Sequence, residues 1–466
     1  MDLPVIPTPI FPRWVWMEEV TYSHIPIATL ITAFLFMAPI FEYLGYRRKD
    51  MRFDRLAKSL VYFSMILFAP GAALGTGIPM FIIGLYPEFW SRFANIFFWP
   101  LIWQFIFFTL EVAVLFFGYY LTWDRWMNRK RLHIMFGILS AGTGLLIQVV
   151  WDAIGSYMLT PGGVALPAVN EPVGWSAQAF FNPSFPFLFT HRFFGNISYT
   201  MLLVGGVFAL KYMHAKIKEE KSYFGFAADL TFSIGFIAFF AMPVIGWGYA
   251  KVIQSHAPVS FMSIMGGHNA SKFIIKMFLI AIFTIIAGAY LFIRHREKKI
   301  LLSAVTIGLA SLIIVVNVHP PLDWLGPPII WRLTSSGLIV GFIVLLWGIR
   351  RTDRKVTGAA WQWALFIAGV AAFFAFCAGG FVRESARNPY TVYKEIEKPE
   401  MLESEAVRFL VYDKCIVCHH DSPKYLERYE TRDWKERVAM ERERPGVDIT
   451  DEEADRIIRY LREKYP

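Results

Sequence analysis

Apolar runs of about 20 residues recur along this chain of 466 residues. A helix of that length crosses the ~30 Å hydrocarbon core of a bilayer and pairs its own backbone groups there. The charged share of 18% is below the ~25% of soluble domains. We therefore expect an all-α polytopic membrane protein in contact with lipid, with no nucleic-acid partner. Ten spans are predicted, at about 21–46, 57–85, 93–122, 134–158, 187–210, 227–250, 271–293, 301–318, 327–349 and 360–382.

The loops between these spans alternate in charge. Five of them carry 22 basic residues, around 47–58, 125–131, 211–221, 294–299 and 350–355, whereas the opposite loops and the N-terminus hold Arg13, Arg92, Lys251 and Lys272. Because cytoplasmic loops are enriched in Lys and Arg, both termini are expected outside the cytoplasm of a bacterial or archaeal inner membrane. No cleavable signal peptide is expected, since the first 20 residues are Pro-rich without an apolar run.

Charge density rises abruptly near residue 383. Residues 383–466 hold 17 basic and 20 acidic residues, whereas the preceding 382 residues hold 29 and 17. A step of this size indicates a domain boundary. We predict a membrane domain over residues 1–390, followed by a linker and a small periplasmic domain over 391–466.

The tail contains the pattern Cys-Ile-Val-Cys-His at residues 415–419. In C-x-x-C-H motifs the cysteines, here Cys415 and Cys418, bind the heme vinyl groups, and the histidine, here His419, ligates iron. A bare C-x-x-C also suits zinc, but zinc would need a second pair of ligands, and His420 is the one obvious extra candidate. The order Thr450-Asp451-Glu452-Glu453 predicts the start of a terminal helix.

This arrangement resembles a small single-heme α-helical cytochrome c domain, over about residues 400–466. The resemblance implies one covalent heme c, with Met440 as the sixth iron ligand. Met440 is the only methionine after the motif, and the alternative is a methionine of the domain core.

The histidines of the membrane part fall into two groups. His133, His214 and His295 lie in or near the basic inner loops and are interpreted as solvated interfacial residues. Five others lie at the outer ends of spans: His24, His191, His256, His268 and His319. Ionisable groups at that depth in a membrane bundle indicate function.

Residues 379–390 read Gly-Gly-Phe-Val-Arg-Glu-Ser-Ala-Arg-Asn-Pro-Tyr. This run resembles G-W-x-x-x-E-x-G-R-Q-P-W in the large subunit of cytochrome bd oxidases. The resemblance implies that Glu384 ligates a high-spin heme and that Arg387 neutralises heme charge. Taken alone, the run also fits an interfacial cluster of Arg and Glu.

Four further matches follow in the order of that family. Tyr22-Ser23-His24 corresponds to the histidine of the second high-spin heme, and Leu188-Phe189-Thr190-His191 to the low-spin heme b histidine. The segment from Phe107 through Glu111 to Tyr119 resembles F-F-L-E-…-F-F-F-G-W, whose Glu is assigned to proton delivery. The segment Lys130-Arg131-Leu132-His133 resembles K-R-x-H at the inner surface. Without the resemblance, Glu111 is equally well a hydrogen-bonded structural acid.

The chain also departs from the family pattern. Trp103-Gln104 stands where the family has a second acid, so that acid of the family pattern is missing. Trp331-Arg332-Leu333-Thr334 resembles the family's F-R-x-M, with Arg332 in place but Thr334 replacing the ligating Met. Replacement ligands for the low-spin heme are His268, Met265 and His319, or that heme is absent. The quinol-binding loop is missing, and the spans at 271–293 and 301–318 stand in its place.

We therefore predict a heme-dependent terminal oxidase-like enzyme that takes electrons through its own heme c and reduces oxygen to water. Heme b, heme d or both are expected in the membrane domain, two or three in number. The expected partners are a soluble cytochrome c or periplasmic redox protein and a second membrane subunit or larger respiratory complex. The alternative is an electron-transfer subunit that passes electrons between periplasmic cytochromes and a partner complex or quinone. A gas or redox sensor has little support, since no signalling domain follows.

Overall fold

The computed structural model describes residues 6–11, 13–162, 174–257, 260–261, 264, 270–294, 358–385, 407, 410–411, 433–443 and 449–464. Two predicted spans, 301–318 and 327–349, lie outside these residues. Every regular element within them is helical. The helices are α1 Arg13–Arg48, α2 Met51–Leu85, α3 Pro87–Val112, α4 Lys130–Tyr157, α5 Ala177–Phe180, α6 Phe185–His214, α7 Lys218–Phe239, α8 Ala241–His256, α9 Ala270–Arg294, α10 Ala359–Ser385, α11 Trp434–Arg442 and α12 Asp451–Lys464.

Eight segments of the described chain are long and apolar enough to cross a membrane, with α7 and α8 forming one of them. The predicted all-α polytopic architecture is confirmed. Large apolar side chains such as Phe105, Phe117 and Val244 are exposed on the outside of the bundle, as expected for surfaces that face lipid. Below, the end with the basic loops is called the inner end and the opposite end the outer end.

Some helices extend beyond their predicted spans, and α2 begins at Met51, six residues before the predicted start of its span at the inner end. The Asp50 side chain accepts a hydrogen bond from the Arg52 backbone N–H and caps α2. The Arg52 guanidinium beside it holds the pKa of Asp50 below its usual range. Helix α3 contains an interior proline, Pro100, and is kinked at Phe97, three residues before it.

Helix α6 is the central element of the bundle. A Cβ atom at Gly235 of α7 would lie 2.7 Å from the Leu202 backbone N of α6, and one at Gly369 of α10 would lie 2.7 Å from the Leu202 carbonyl oxygen. Only glycine permits such close approach, which is how small residues let membrane helices pack. Helix α6 is therefore held rigidly between its neighbours, and it carries His191 near its outer end.

The last two helices form a small apolar core together with residues that precede them. It contains Leu410, Val411, Trp434, Val438, Ile449, Ala454, Ile457 and Leu461. Thr450 and Glu453 exchange backbone to side-chain hydrogen bonds at the start of α12, which confirms the predicted cap. The Met440 side chain on α11 is 48% exposed. Its assignment as an iron ligand stays a prediction.

Candidate functional site

The His24 imidazole lies against a glycine-lined face of α2. Its Nδ1 donates a 2.9 Å hydrogen bond to the Gly71 carbonyl oxygen. A Cβ atom at Gly75, one turn further along α2, would lie 2.7 Å from Cε1 of the ring. This hydrogen bond fixes the tautomer and leaves Nε2 with its lone pair, as in histidines that ligate metals. The ring would suit a ligand to heme iron.

The outer ends of α1 and α10 meet beside His24. The rings of Tyr22 and Phe381 stack with their centroids 3.8 Å apart. Tyr22 is two residues before His24, and Phe381 is three residues before Glu384. The two predicted ligands of high-spin hemes therefore come from turns that contact each other. The Glu384 backbone is helical, and its side chain lies outside the described residues.

His191 lies near the outer end of α6, facing α8. Its Nε2 would be 3.5 Å from a Cβ atom at Gly246, and its ring centroid is 6.2 Å from that of Tyr249. Lys276 of α9 is within electrostatic range of the ring and packs against Gly379. The sequence interpretation did not single out Lys276, although a cation inside an apolar span is a recognisable signal.

Glu111 is the buried acid of the middle of the bundle. Its side chain is 6% exposed, and a Cβ atom at Gly144 of α4 would lie 2.9 Å from its Oε1. No hydrogen-bond or ion-pair partner of Glu111 is present among the described residues. Directly after Glu111 and Val112 the chain continues as a π-helix, Ala113–Tyr120, a form frequent at functional sites. The role of Glu111 in proton delivery stays a prediction.

A buried charge cluster closes the inner end. Lys130 Nζ lies 2.8 Å from Glu42 and 2.7 Å from Asp54, and His133 Nδ1 lies 2.6 Å from Glu42. His133 Nε2 donates to the Tyr119 carbonyl oxygen at 2.9 Å. The interpretation of His133 as a solvated residue is wrong: the residue is 1% exposed. The reason is the pairing with Glu42, which lies 91 residues away in sequence.

The acceptors around His133 define where a proton resides. A carbonyl oxygen only accepts, so Nε2 carries hydrogen. The other ring nitrogen faces a carboxylate oxygen, so the hydrogen bond between them contains a proton supplied by an imidazolium or by a protonated Glu42. A hydrogen bond between His133 Nδ1 and Glu42 Oε1 therefore lies at the centre of the cluster.

One face of α4 connects the two ends of the bundle. Residues three or four apart share a helix face, and this face is buried along its length: His133, Gly137, Ser140, Gly144, Gln148 and Asp152. Glu111 of α3 approaches it at Gly144. Polar atoms therefore occur along the bundle from the inner cluster, past Glu111, to the outer end.

The remaining predicted residues are either exposed or lie outside the described residues. His256 is exposed and hydrogen-bonds locally with Ser255 and the Val252 carbonyl oxygen, and His214 is exposed at the inner end, as predicted. Several predicted residues lie outside the described residues: His268, His295, His319, Arg332, Arg387, Cys415, Cys418 and His419.

One helix bundle therefore contains two histidines near its outer end, His24 and His191, and a buried acid, Glu111. Comparison with known proteins identifies the family. The model of cytochrome bd terminal oxidase subunit I matches residues 13–412. The chain belongs to this family. It is thus a multi-pass membrane protein of a family of heme-dependent oxidoreductases that bind hemes b and d.

A solved structure shares the fold of this family member. The structure titled "The structure of bd oxidase from Geobacillus thermodenitrificans" aligns over 87% of this chain and 95% of that chain, with a TM-score of 0.57 and 19% sequence identity. At that identity the similarity concerns the fold. Comparison with curated proteins gives no match.

Proposed function

We propose that this chain is the heme-carrying subunit of a membrane oxidase that receives electrons through its own heme c and reduces oxygen to water. When bound, the hemes supply electron transfer and an open iron position for oxygen. In this proposal Cys415, Cys418, His419 and Met440 hold heme c, and His24, His191 and Glu384 ligate the membrane hemes. Arg332 and Arg387 offset heme charge, and His268 is a candidate second ligand to the low-spin heme.

The orientation of His24 supports the heme assignment. Its Nδ1–H is occupied by the Gly71 carbonyl oxygen, so Nε2 is the nitrogen available to iron. Gly75 keeps the ring from being displaced by a side chain of α2. The ligand is thereby oriented before heme binds, as second-shell hydrogen bonds do at metal sites.

The burial of Glu111 without a partner is the observation that most supports the proposed reduction of oxygen. Reduction of oxygen to water consumes protons, whereas a relay of electrons between hemes needs none. An ionised carboxylate without a partner in apolar surroundings is costly, so Glu111 holds a proton at rest. A buried acid of this kind is a suitable proton donor to reduced oxygen.

The inner cluster is suited to supply Glu111. A hydrogen bond joins His133 and Glu42, and Lys130 places a positive charge against Glu42 and Asp54. Between the cluster and Glu111, the buried Ser140 hydroxyl lies on the same face of α4 as His133 and Gly144. Protons from the cytoplasm would enter at this cluster and move along α4 to Glu111.

The electron donor is proposed from the sequence. The quinol-binding loop of the family is missing, and a cytochrome c motif follows the membrane domain. A short linker, about 391–405, keeps heme c at a roughly millimolar effective concentration near the membrane hemes. A soluble cytochrome c or another periplasmic redox protein would reduce heme c, and a second membrane subunit would complete the complex.

The decisive experiment compares Glu111→Gln with the wild-type protein. Gln keeps the shape of the side chain but cannot exchange a proton, so oxygen uptake should fall by roughly 10²–10⁴-fold. Heme content and the rate of heme c reduction should stay at the wild-type level. Asp124→Asn is the matched control, because Asp124 is an 83% exposed carboxylate that pairs with Lys58, and it should retain full activity.

Two outcomes would contradict the proposal. Wild-type protein whose reduced hemes stay reduced in air would leave only the electron-transfer alternative. Equal oxygen uptake by Glu111→Gln and wild type would remove Glu111 from the reaction. Measuring oxygen uptake and heme c re-oxidation in one preparation separates the two cases.

A further inference from the structure

Asp152 is a completely buried carboxylate in the outer half of α4. It accepts a hydrogen bond from Arg192 Nη1 of α6 and a 3.1 Å hydrogen bond from Gln148 Nε2, one turn earlier in α4. A single acidic residue inside an apolar span indicates function. The family motifs found in the sequence do not include Asp152, Gln148 or Arg192.

A second hydrogen bond joins α4 and α6 one turn further towards the inner end. Gln148 Oε1 accepts a 3.1 Å hydrogen bond from Asn196 Nδ2. Asp152 and Gln148 are four residues apart on α4, and Arg192 and Asn196 are four residues apart on α6. Because the two helices run in opposite directions, these pairs form two successive rungs that fix α4 against α6 in one register.

Arg383 of α10 reaches the same face of α4. A Cβ atom at Gly155, three residues after Asp152, would lie 3.1 Å from Arg383 Nη1. The charges of Arg192 and Arg383 both act on the Asp152 carboxylate, and the charge of Arg192 also acts on His24. The cluster therefore lies between α1, α4, α6 and α10 at the outer end.

The two arginines are sequence neighbours of predicted heme ligands. Arg192 follows His191, and Arg383 precedes Glu384. We infer that Asp152 is a positioning residue that holds Arg192 beside His191, and that Asp152, Arg192 and Arg383 together set the midpoint potentials of the membrane hemes. This inference rests on the proposed heme assignment, and it does not depend on the oxygen step.

The sign of each effect follows from charge. Ferric heme carries one positive charge more than ferrous heme, so a nearby guanidinium favours the ferrous form and raises the midpoint potential. The Asp152 carboxylate favours the ferric form and lowers it. In a buried site these interactions are screened much less than in water.

The test is a spectroelectrochemical titration of the purified full-length protein. Asp152→Asn keeps the size of the side chain and removes its charge, so the midpoint potential of at least one membrane heme should rise. Arg192→Gln should lower the same potential. The double variant Asp152→Asn/Arg192→Gln should return it towards the wild-type value, because both charges of the pair are then gone.

Asp229→Asn is the matched control. Asp229 is a partly buried carboxylate on α7, near the inner end, and it accepts a 3.0 Å hydrogen bond from the Tyr290 hydroxyl. The heme potentials of this variant should equal those of the wild type.

Each outcome decides the inference. Unchanged potentials in both single variants overturn it, as does a double variant shifted as far as either single one. If a single variant loses a membrane heme and the double variant regains it, the pairing of Asp152 with Arg192 is supported. If the double variant does not regain that heme, the inference that Asp152 and Arg192 act as a pair is overturned. If the wild-type protein shows the expected heme potentials but takes up no oxygen, the oxidase proposal fails and the inference on the charge cluster stands.

Discussion

Gly144 of α4 lies so close to Glu111 of α3 that a methyl group on it would come within 2.9 Å of the carboxyl oxygen. A glycine at this position leaves space for the carboxyl group against α4. The helix face that carries Gly144 is also the one that carries His133 and Asp152. The position of the proposed proton donor is therefore determined by a residue that has no side chain.

Gly144→Ala should displace the Glu111 carboxyl group without removing it. Displacement of a catalytic group by about 1 Å costs up to roughly 10²-fold in rate, so oxygen uptake should fall by that order while heme content is retained. Gly142→Ala is the control, because a Cβ atom at Gly142 has nothing within 4 Å. Equal activities of the two variants would show that the position of Glu111 is unimportant.

Gly75→Ala should disturb the high-spin heme signal although His24 is still present. The added methyl group would meet Cε1 of the ring at 2.7 Å and push the imidazole from its place. His24→Ala should abolish the same signal. His256→Ala is the histidine control, since His256 is exposed; a wild-type spectrum of His24→Ala would refute the ligand assignment.

Lys130→Met should destabilise the protein strongly. It removes the ammonium group that pairs with Glu42, which is 0% exposed, and with Asp54, and breaking a buried ion pair costs about 3–5 kcal/mol. Lys58→Met removes the cation of an exposed pair and should cost about 0–1 kcal/mol. Thermal unfolding in detergent measures both. Similar transition temperatures would contradict a stabilising role for the inner cluster.

Replacing Cys415 and Cys418 by Ala should remove one covalently bound heme. The pyridine hemochrome spectrum and the intact mass report its loss directly. Cys377, in α10, is the remaining cysteine of the chain, and Cys377→Ala should keep the covalent heme. Retention of the heme c signal in the double variant would exclude the motif as an attachment site.

The sequence predicted those features that depend on local pattern. The spans that the structure describes and the cap of α12 at Thr450 each follow from residues within a few turns of one another. His133 was interpreted wrongly because its partner Glu42 belongs to another helix, and no local pattern reveals such a pair. Asp152 and Lys276 were missed, although each is a charged residue inside an apolar run and could have been found by that signal alone.

The buried face of α4 also determines how the membrane potential would act on this protein. Eleven residues separate His133 from Gly144, which is about 16 Å along a helix, or half of the ~30 Å hydrocarbon core. A proton that moves from the inner cluster to Glu111 therefore crosses about half of the transmembrane voltage. Since a full crossing involves ~2.3 kcal/mol per 100 mV, turnover at Glu111 would be electrogenic, and its rate in energised vesicles would depend on the voltage across them.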